Sequence, residues 1–335
     1  MNNTIFDDVE VVEETTPTPM NNTQSKPNSK LEINFDIASL IGDKLTEFIQ
    51  SEVHGQGATK IQQAVKEVAQ GLKPTVIKIG AAKPVTVTGK LHEKHVFGLK
   101  ILNATNLLWL VGPTGSGKTH LAEQLAQAFN LTFAYMSCTE GMHESHLNGK
   151  MTVTGEFLTT EFIKCYEEGG LYLLDEVDAA DPNVLLVLNS AIANGKLAIP
   201  NRVTKPVAVR HPDFKLIVSS NTWGTGSVNY SGRNNLDQSF IDRFNLCKLE
   251  IDYDEALETE LAKEVNPDIA AKFQLIRSNM RKSGADASRI PTTRNIITAL
   301  KMFSSGISMK AIFDDQYFTP QWTAEEKRKA LHMPK

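Results

Sequence analysis

The stretch that most constrains this chain is GPTGSGKTH, residues 112–120. It satisfies the pattern G-x-x-x-x-G-K-[ST] of a phosphate-binding loop, in which backbone N–H groups converge on phosphate oxygens. The glycines allow backbone angles that other residues avoid, the lysine brings a positive charge to the terminal phosphates, and the threonine hydroxyl can ligate Mg²⁺. All nine residues are therefore candidates for ATP binding: Gly112, Pro113, Thr114, Gly115, Ser116, Gly117, Lys118, Thr119 and His120.

The residues on either side of this loop have the patterns of a strand and a helix. Residues 107–111, LLWLV, form a short continuous apolar run, typical of a central parallel strand that is buried on both faces. After the loop, Leu121, Leu125 and Phe129 recur at helical spacing, so a helix N-terminus should point at the phosphates. The alternative is an ordinary glycine-rich turn, which the flanking strand and helix disfavour.

A second apolar run ends in two carboxylates. Residues 171–178, LYLLDEVD, predict a buried strand that delivers Asp175 and Glu176 to the carboxyl edge of the sheet, where ligands bind in open α/β proteins. Asp175 is suited to hold Mg²⁺ together with Thr119, and Glu176 to orient and deprotonate an attacking water. Such a pair is often only a helix cap, but its position one strand–helix–strand unit after the loop favours a catalytic role.

Three further polar residues occupy places where chemistry is expected. Asn221 ends the apolar run of residues 214–220, where its amide would position the water or touch the terminal phosphate; the alternative is a turn-forming asparagine. Arg243 lies at a helix-to-strand junction, where it either pairs with a carboxylate or reaches a neighbouring subunit's nucleotide. Arg294 falls in the first turn of a helix, where a fixed cation can sense the terminal phosphate.

The chain divides into four predicted segments. Residues 1–30 are rich in Asn, Thr, Pro, Ser and Glu and are expected to form a disordered tail, and residues 31–89 a helical extension with a short hairpin. Residues 90–252 alternate strands and helices, which predicts an α/β domain of three layers, and residues 253–335 predict a small all-helical domain. The predicted strands of the α/β domain are 107–111, 132–136, 171–174, 214–220 and 246–251. The predicted helices of the last segment lie near 254–264, 268–282, 292–303 and 323–332.

Composition argues against several classes of protein. No apolar run approaches the roughly 18 to 20 residues of a membrane span, and the acidic N-terminus lacks a signal pattern, so a cytoplasmic protein without membrane contact is expected. The three cysteines have no close spacing, which argues against a disulfide framework or a zinc site. The net charge of −4, with no run of five or six basic residues, weakens a nucleic-acid-binding interpretation.

The motifs together resemble those of an AAA+ ATPase. Within that superfamily the sequence is similar to the MoxR and dynein-related branch, which includes the cobalt-chelatase ATPase subunit. Three phrases, GGLYLLDEVDAADPNVLLVLNSAIANG, RHPDF and NTWGTGSVNYSGRNNLDQSFIDRF, resemble AAA+ proteins of phages and prophages. The resemblance covers about residues 90–310. It departs from relatives in the Thr-Thr-Arg that ends at Arg294, where they often carry Ser-Pro-Arg.

This resemblance implies a five-stranded parallel P-loop domain with a helical lid, and a ring, usually of six subunits, with ATP and Mg²⁺ at each subunit boundary. It implies that Arg243 acts on the neighbouring subunit's site, with Arg233 a second candidate for such a trans role. It also implies that Arg294 is the sensor of the lid, acting either within its own subunit or on a neighbour. It also implies two hairpin insertions, which residues 148–157 and 195–211 fit. The residues expected to act within one subunit are Lys118, Thr119, Asp175, Glu176 and Asn221.

The function implied is an ATPase that remodels a protein partner; relatives often work with a partner that carries a von Willebrand factor A-type domain. A nucleic-acid translocase or helicase is one alternative, and a scaffold locked by ATP with low turnover is another. The first hairpin carries Met151 and Val153 and one basic side chain, which favours a polypeptide client over DNA. The second hairpin weakens this contrast because it contains four basic residues: Lys196, Arg202, Lys205 and Arg210. For a phage-encoded protein, the compartment would be the host cytoplasm.

Overall fold

The structure is a computed structural model that describes residues 9–12, 75–79, 85–226 and 232–331. Its strands are β1 (Val9–Val12), β2 (Thr75–Ile79), β3 (Val85–Val87), β4 (Leu107–Val111), β5 (Phe133–Ser137), β6 (Lys150–Met151), β7 (Phe157–Leu158), β8 (Gly170–Asp175), β9 (Lys196–Ala198), β10 (Val207–Val209), β11 (Phe214–Ser220) and β12 (Lys248–Glu250). Its α-helices are α1 (His95–Thr105), α2 (Lys118–Ala128), α3 (Ser145–Asn148), α4 (Glu161–Glu168), α5 (Pro182–Leu185), α6 (Val187–Asn194), α7 (Gln238–Arg243), α8 (Glu255–Ala262), α9 (Pro267–Lys282), α10 (Thr293–Ser304) and α11 (Ala324–Leu331). A π-helix spans Ala311–Tyr317.

A five-stranded sheet forms the centre of the molecule, in the order β12-β4-β11-β8-β5 with every neighbouring pair parallel. Successive residues of a strand point to opposite faces. Trp109 and Val111 of β4 therefore enter one core with the helices α4 to α7, while Leu108 and Leu110 enter a second core with α1 and α2. Both faces are covered, which confirms the predicted α/β fold of three layers.

The predicted strand positions agree with this sheet to within about two residues. Runs 107–111 and 214–220 coincide with β4 and β11. All seven residues of β11 are buried because it lies between β4 and β8 and is covered on both faces. Parallel strands of this kind lack polar–apolar alternation, and their continuous apolar runs are the signal that located them.

Two antiparallel hairpins project from the sheet domain, where the resemblance predicts insertions. The first hairpin pairs β6 with β7, and the second pairs β9 with β10. In the second, Ala208 is buried and both flanking valines, Val207 and Val209, are exposed, so only one face of the strand packs on the domain.

A small antiparallel sheet precedes the central domain, in the order β1-β2-β3. Residues 9–12 thus form a strand within the segment predicted to be disordered. Their sequence, VEVV, is rich in the β-branched residues that favour extended backbone, and a strand edge is present for it to pair with. The predicted helices between residues 31 and 72 lie outside the described residues.

The C-terminal region is helical, as predicted, and forms its own core. Most of its buried residues come from α9, α10 and the π-helix, among them Phe273, Ile276, Ile296 and Phe313. We refer to residues 253–331 as the lid. The domain boundaries themselves stay predictions. In the described part of the chain, no helix is long and apolar enough to cross a membrane.

Candidate nucleotide-binding site

The phosphate loop joins β4 to α2, and its glycines have two different functions. Gly115 and Gly117 have φ values of +71° and +93°, in the left-handed region that favours glycine. Gly112 instead allows a close approach, because a Cβ on it would lie 1.9 Å from the carbonyl oxygen of Ile251, directly after β12. The expectation that all three glycines are needed for their backbone angles is therefore wrong for Gly112.

A cavity of about 520 Å³ lies between this loop, the carboxyl edge of the sheet and the lid. It brings together residues 114–120 with Asp175, Glu176, Asn221 and Arg294. Sequence reasoning missed a further group of lining residues from the segment before α1 and from the lid. They include Gly89, Lys90, His92, Leu257, Leu261 and Ile297. None of them belongs to a motif, so only the fold identifies them.

Lys118 is buried, and its ammonium contacts three oxygens. Its Nζ donates to the carbonyl oxygens of Gly112 (2.8 Å) and Pro113 (3.0 Å) and to Oδ1 of Asn221 (3.0 Å). Burial lowers the pKa of Lys118 to about 8, although three nearby carboxylates oppose this shift. A phosphate that binds Lys118 has to compete with these oxygens, and its negative charge would favour the protonated ammonium.

Thr119 and Asp175 lie together, as the predicted Mg²⁺ site requires. Thr119 Oγ1 donates to Asp175 Oδ2 at 2.6 Å, and the other carboxylate oxygen accepts from Ser219 Oγ and, at 3.0 Å, from the Glu176 N–H. Hydroxyl and carboxylate oxygens are hard donors that suit Mg²⁺, which keeps several waters and takes further ligands from phosphate. These two residues would hold the ion, whose charge would offset that of the phosphates. Among the described residues, no cluster of three or more His, Cys, Asp or Glu forms a metal site built from protein alone.

Glu176 follows β8 directly and has a left-handed backbone, with φ of +58°. Such angles are uncommon outside glycine and are typical of sites where the surrounding structure holds a side chain in a required direction. The carboxylate faces the cavity and is 42% exposed, so water can reach it. Among the residues that the structure describes, its ion-pair partner is Arg233, whose Nη2 lies 3.5 Å from Oε2.

Asp178, three residues after the end of β8, bonds to the residues that follow β11. It is fully buried, and its Oδ2 accepts from the backbone N–H of Asn221 (3.2 Å) and from both N–H and hydroxyl of Thr222 (3.1 and 3.0 Å). Its Oδ1 accepts from Arg233 Nη1 at 3.1 Å. Asp178 therefore fixes the backbone from which Asn221 points toward Lys118.

The two remaining arginines lie in different surroundings. Arg294 is exposed in the first turn of α10 and lines the cavity; α10 begins with a capping box between Thr292 and Asn295. Arg243 is the last residue of α7 and does not line the cavity of its own chain; its Nε donates to Asn189 Oδ1 at 2.9 Å.

Two contacts join the phosphate loop to the lid. The hydroxyl of Tyr253 donates to the Thr114 carbonyl oxygen at 3.0 Å. A Cβ on Gly115 would lie 2.9 Å from Cβ of Thr292, so the loop backbone packs against the start of α10. The position of the loop therefore depends on that of the lid.

Comparison with known proteins finds a family model that covers the phosphate loop and most of the central sheet. Residues 107–244 match the AAA domain of the dynein-related subfamily. An uncharacterized protein of Staphylococcus epidermidis is 31% identical over 152 residues, which are 43% of this chain and 54% of the relative. YojN of Bacillus subtilis, also uncharacterized, is 29% identical over 163 residues, or 47% of this chain and 50% of the relative. The chain thus spans about half the length of these curated relatives.

Solved structures show more distant likenesses. A mutant of RuvB from Thermotoga maritima aligns with a TM-score of 0.40 and 19% identity over 64% of this chain and 71% of its own. NtrX from Brucella abortus aligns with a TM-score of 0.45 and 16% identity over 84% and 62%. At these scores neither likeness bears on function. The part of this chain that matches the AAA domain of the dynein-related subfamily carries four of the five strands of the sheet, the phosphate loop and the acidic strand end.

Proposed function

We propose that this chain is a Mg²⁺-dependent ATPase that assembles into a ring of six subunits, the number usual for the family it resembles, and that uses hydrolysis to remodel a protein partner in the cytoplasm. The observation that carries the ATPase proposal is the juxtaposition, around one cavity, of Lys118, Thr119, Asp175 and Glu176. A phosphate-holding lysine, a pair of hard oxygen ligands and a solvent-reaching carboxylate are the parts that phosphoryl transfer to water needs.

Each side chain has a task in this proposal. Lys118 neutralises the terminal phosphates, and Thr119 with Asp175 holds the ion. Glu176 accepts a proton from the attacking water, because its carboxylate lines the cavity at the sheet edge and is exposed to water. Asn221, whose amide oxygen is held by Lys118, aligns the terminal phosphate or the water with its amide group.

The first test is ATP turnover by two variants. Glu176→Gln should bind ATP and hydrolyse it at least ~100-fold more slowly, because the base is lost while the phosphate contacts remain. Lys118→Ala should lose ATP binding. The matched control is Glu168→Gln, an exposed carboxylate just before the opposite end of β8, which should hydrolyse ATP like the wild type. Near-normal turnover by Glu176→Gln would refute the role of this carboxylate.

Ring assembly is supported by the position of Arg243 outside the cavity of its own chain. Arg243→Ala should keep ATP affinity and lose turnover, since its guanidinium would serve a neighbour's nucleotide. Mixing it with Glu176→Gln should restore part of the activity, because a Glu176→Gln subunit still supplies Arg243 to its neighbour. Specific activity that stays constant on dilution to monomers would contradict a shared site.

A protein client is supported by the two hairpins. In the first, Val153 is fully exposed and Met151 is exposed, which presents apolar and adaptable groups. In the second, Arg202 forms two 2.7 Å bonds to Glu167 and Arg210 donates to the Ile192 carbonyl oxygen at 3.1 Å. Two of its four basic residues are thus engaged within the chain, which lowers the number free for phosphate contacts and disfavours a DNA motor.

The client proposal is tested with the hydrolysis-deficient protein as a trap. Proteins retained by Glu176→Gln with ATP should be lost when Met151→Ser and Val153→Ser are added, while basal turnover of the double serine variant stays intact. A MoxR-like role predicts that a retained protein carries a von Willebrand factor A-type domain. Salt-sensitive stimulation of wild-type turnover by DNA, abolished by Lys196→Ala with Lys205→Ala, would instead establish a nucleic-acid motor. Negligible turnover of an assembled ring would indicate a scaffold.

A further inference from the structure

A guanidinium joins two carboxylates beside the cavity. Arg233 Nη1 lies 3.1 Å from Asp178 Oδ1, and its Nη2 lies 3.5 Å from Glu176 Oε2. The arginine side chain is only 13% exposed. It is also close enough to Lys118 to oppose protonation of that residue. Arg233 therefore belongs to the same charged cluster as the residues that surround the cavity.

The two ends of this bridge are not equivalent. Asp178 is fully buried, and its second carboxylate oxygen already accepts three hydrogen bonds, so the Arg233–Asp178 contact has little freedom to move. Glu176 is 42% exposed, and its separation from Arg233 is that of an ion pair rather than a short hydrogen bond. Asp178 is thus the anchor, and Glu176 is the group on which the guanidinium acts.

We propose that Arg233 is a positioning residue that orients the carboxylate of Glu176 within its own chain. A guanidinium is planar and holds its N–H groups in a fixed fork, so anchoring one terminal nitrogen on Asp178 determines where the other lies. The second nitrogen then limits the directions in which the Glu176 carboxylate can turn. This inference rests on the proposed ATPase function, because it concerns the base that activates water.

The same geometry argues against the trans role that the resemblance allows for Arg233. To reach a neighbour's phosphate, the Arg233 side chain would have to leave Asp178. The fully buried carboxylate of Asp178 would then lack its cation, which is strongly unfavourable. Arg243 differs in this respect, since the Asn189 side chain that accepts its hydrogen bond carries no charge. We therefore assign Arg233 to the nucleotide site of its own subunit and Arg243 to the nucleotide site of the neighbouring subunit.

The test begins with Arg233→Lys. A lysine keeps a cation for Asp178 but has a single nitrogen, so it cannot hold Asp178 and direct Glu176 from two nitrogens at once. We expect ATP affinity, KM and the urea midpoint of unfolding to stay close to wild type while kcat falls roughly 10- to 100-fold. The matched control is Arg202→Lys, because Arg202 is also paired with a carboxylate and is 14% exposed, but lies outside the cavity; its kcat should be unchanged.

Mixed assemblies decide whose site Arg233 serves. Arg233→Lys mixed with Glu176→Gln should show no recovery of turnover, because a cis residue cannot be supplied by a neighbour. Recovery in that mixture would overturn the inference and establish a trans role. Unchanged kcat, or a fall in kcat that accompanies loss of ATP affinity and stability, would overturn it in favour of no role or a purely structural one. Absence of turnover in the wild type would instead refute the proposed function.

Discussion

Arg277→Met should destabilise the lid far more than Arg281→Met, although the two residues lie four positions apart on α9. Each arginine forms a two-bond pair with a carboxylate, Arg277 with Glu258 and Arg281 with Asp252. Both guanidinium groups also lie over the ring of Tyr253, at 4.1 and 5.3 Å from its centroid. The two pairs differ in burial. The side chains of Arg277 and Glu258 are 1% and 0% exposed, whereas those of Arg281 and Asp252 are 42% and 53% exposed.

The expected magnitude follows from what each substitution leaves behind. Without Arg277, Glu258 stays buried as an uncompensated charge, and removing one partner of a buried pair costs about 3 to 5 kcal/mol. Glu258 would keep hydrogen bonds from Thr293 Oγ1 (2.5 Å) and Gln274 Nε2 (3.2 Å). We therefore expect the loss of unfolding free energy to lie near the lower end of that range. The Pro291 carbonyl oxygen would also lose its donor. Arg281 and Asp252 are screened by water, and such pairs contribute about 0 to 1 kcal/mol.

The measurement is equilibrium unfolding in urea, with hydrogen exchange of peptides from α8 to α10 to separate the lid from the sheet domain. The pair Glu258→Gln with Arg277→Met should recover part of the loss, because the buried charge is then removed. If Arg277→Met lowers the free energy of unfolding no more than Arg281→Met does, burial does not determine the contribution of the two pairs, and the reasoning fails.

Three other predictions concern the site and the core. Burial lowers the pKa of Lys118 to about 8, and a bound phosphate would favour the protonated ammonium. Nucleotide binding at pH 9 should therefore take up close to one proton, and affinity should fall as the pH rises through 8. Calorimetry in two buffers of different ionisation enthalpy checks this. All three cysteines are buried, so a thiol reagent should label them only after denaturation, and fast labelling of the native protein would contradict the described core. Gly115→Ala should weaken ATP binding, since it strains a left-handed backbone and crowds Thr292, whereas Gly141→Ala, with open space around it, should not.

The sequence predicted the parts of the fold whose signals are local. Apolar runs located the strands of the sheet, and the loop pattern located the start of α2. The helix α1 was missed because its N-cap, Lys94, makes no side-chain capping bond and Gly98 interrupts its apolar pattern. The π-helix, whose bonds span five residues, was likewise missed because sequence patterns are read at a period of 3.6.

The sequence predicted those residues of the candidate site that belong to recognisable motifs. Lys118, Asp175 and Asn221 lie together because the carboxyl ends of parallel strands meet at one edge of the sheet. The contact of Arg233 with Glu176 and the packing of His92 at the cavity depend on tertiary structure, which no local pattern encodes. The roles assigned to these residues in catalysis remain predictions until the variants are measured.

The close approach of Gly112 to Ile251 has a consequence for how the protein is made. Strand β4 is paired on one side by residues 247–251, through bonds from Trp109 N–H to the Cys247 carbonyl oxygen and from Ile251 N–H to that of Val111, both 2.8 Å. A growing chain that has reached residue 244 contains the whole phosphate loop and none of that strand. Until the next residues emerge, β4 is an edge strand with unpaired backbone groups, and nothing packs against the first glycine of the loop. A fragment cut at residue 244 would share this defect, so the folding unit extends beyond the stretch that the family model matches.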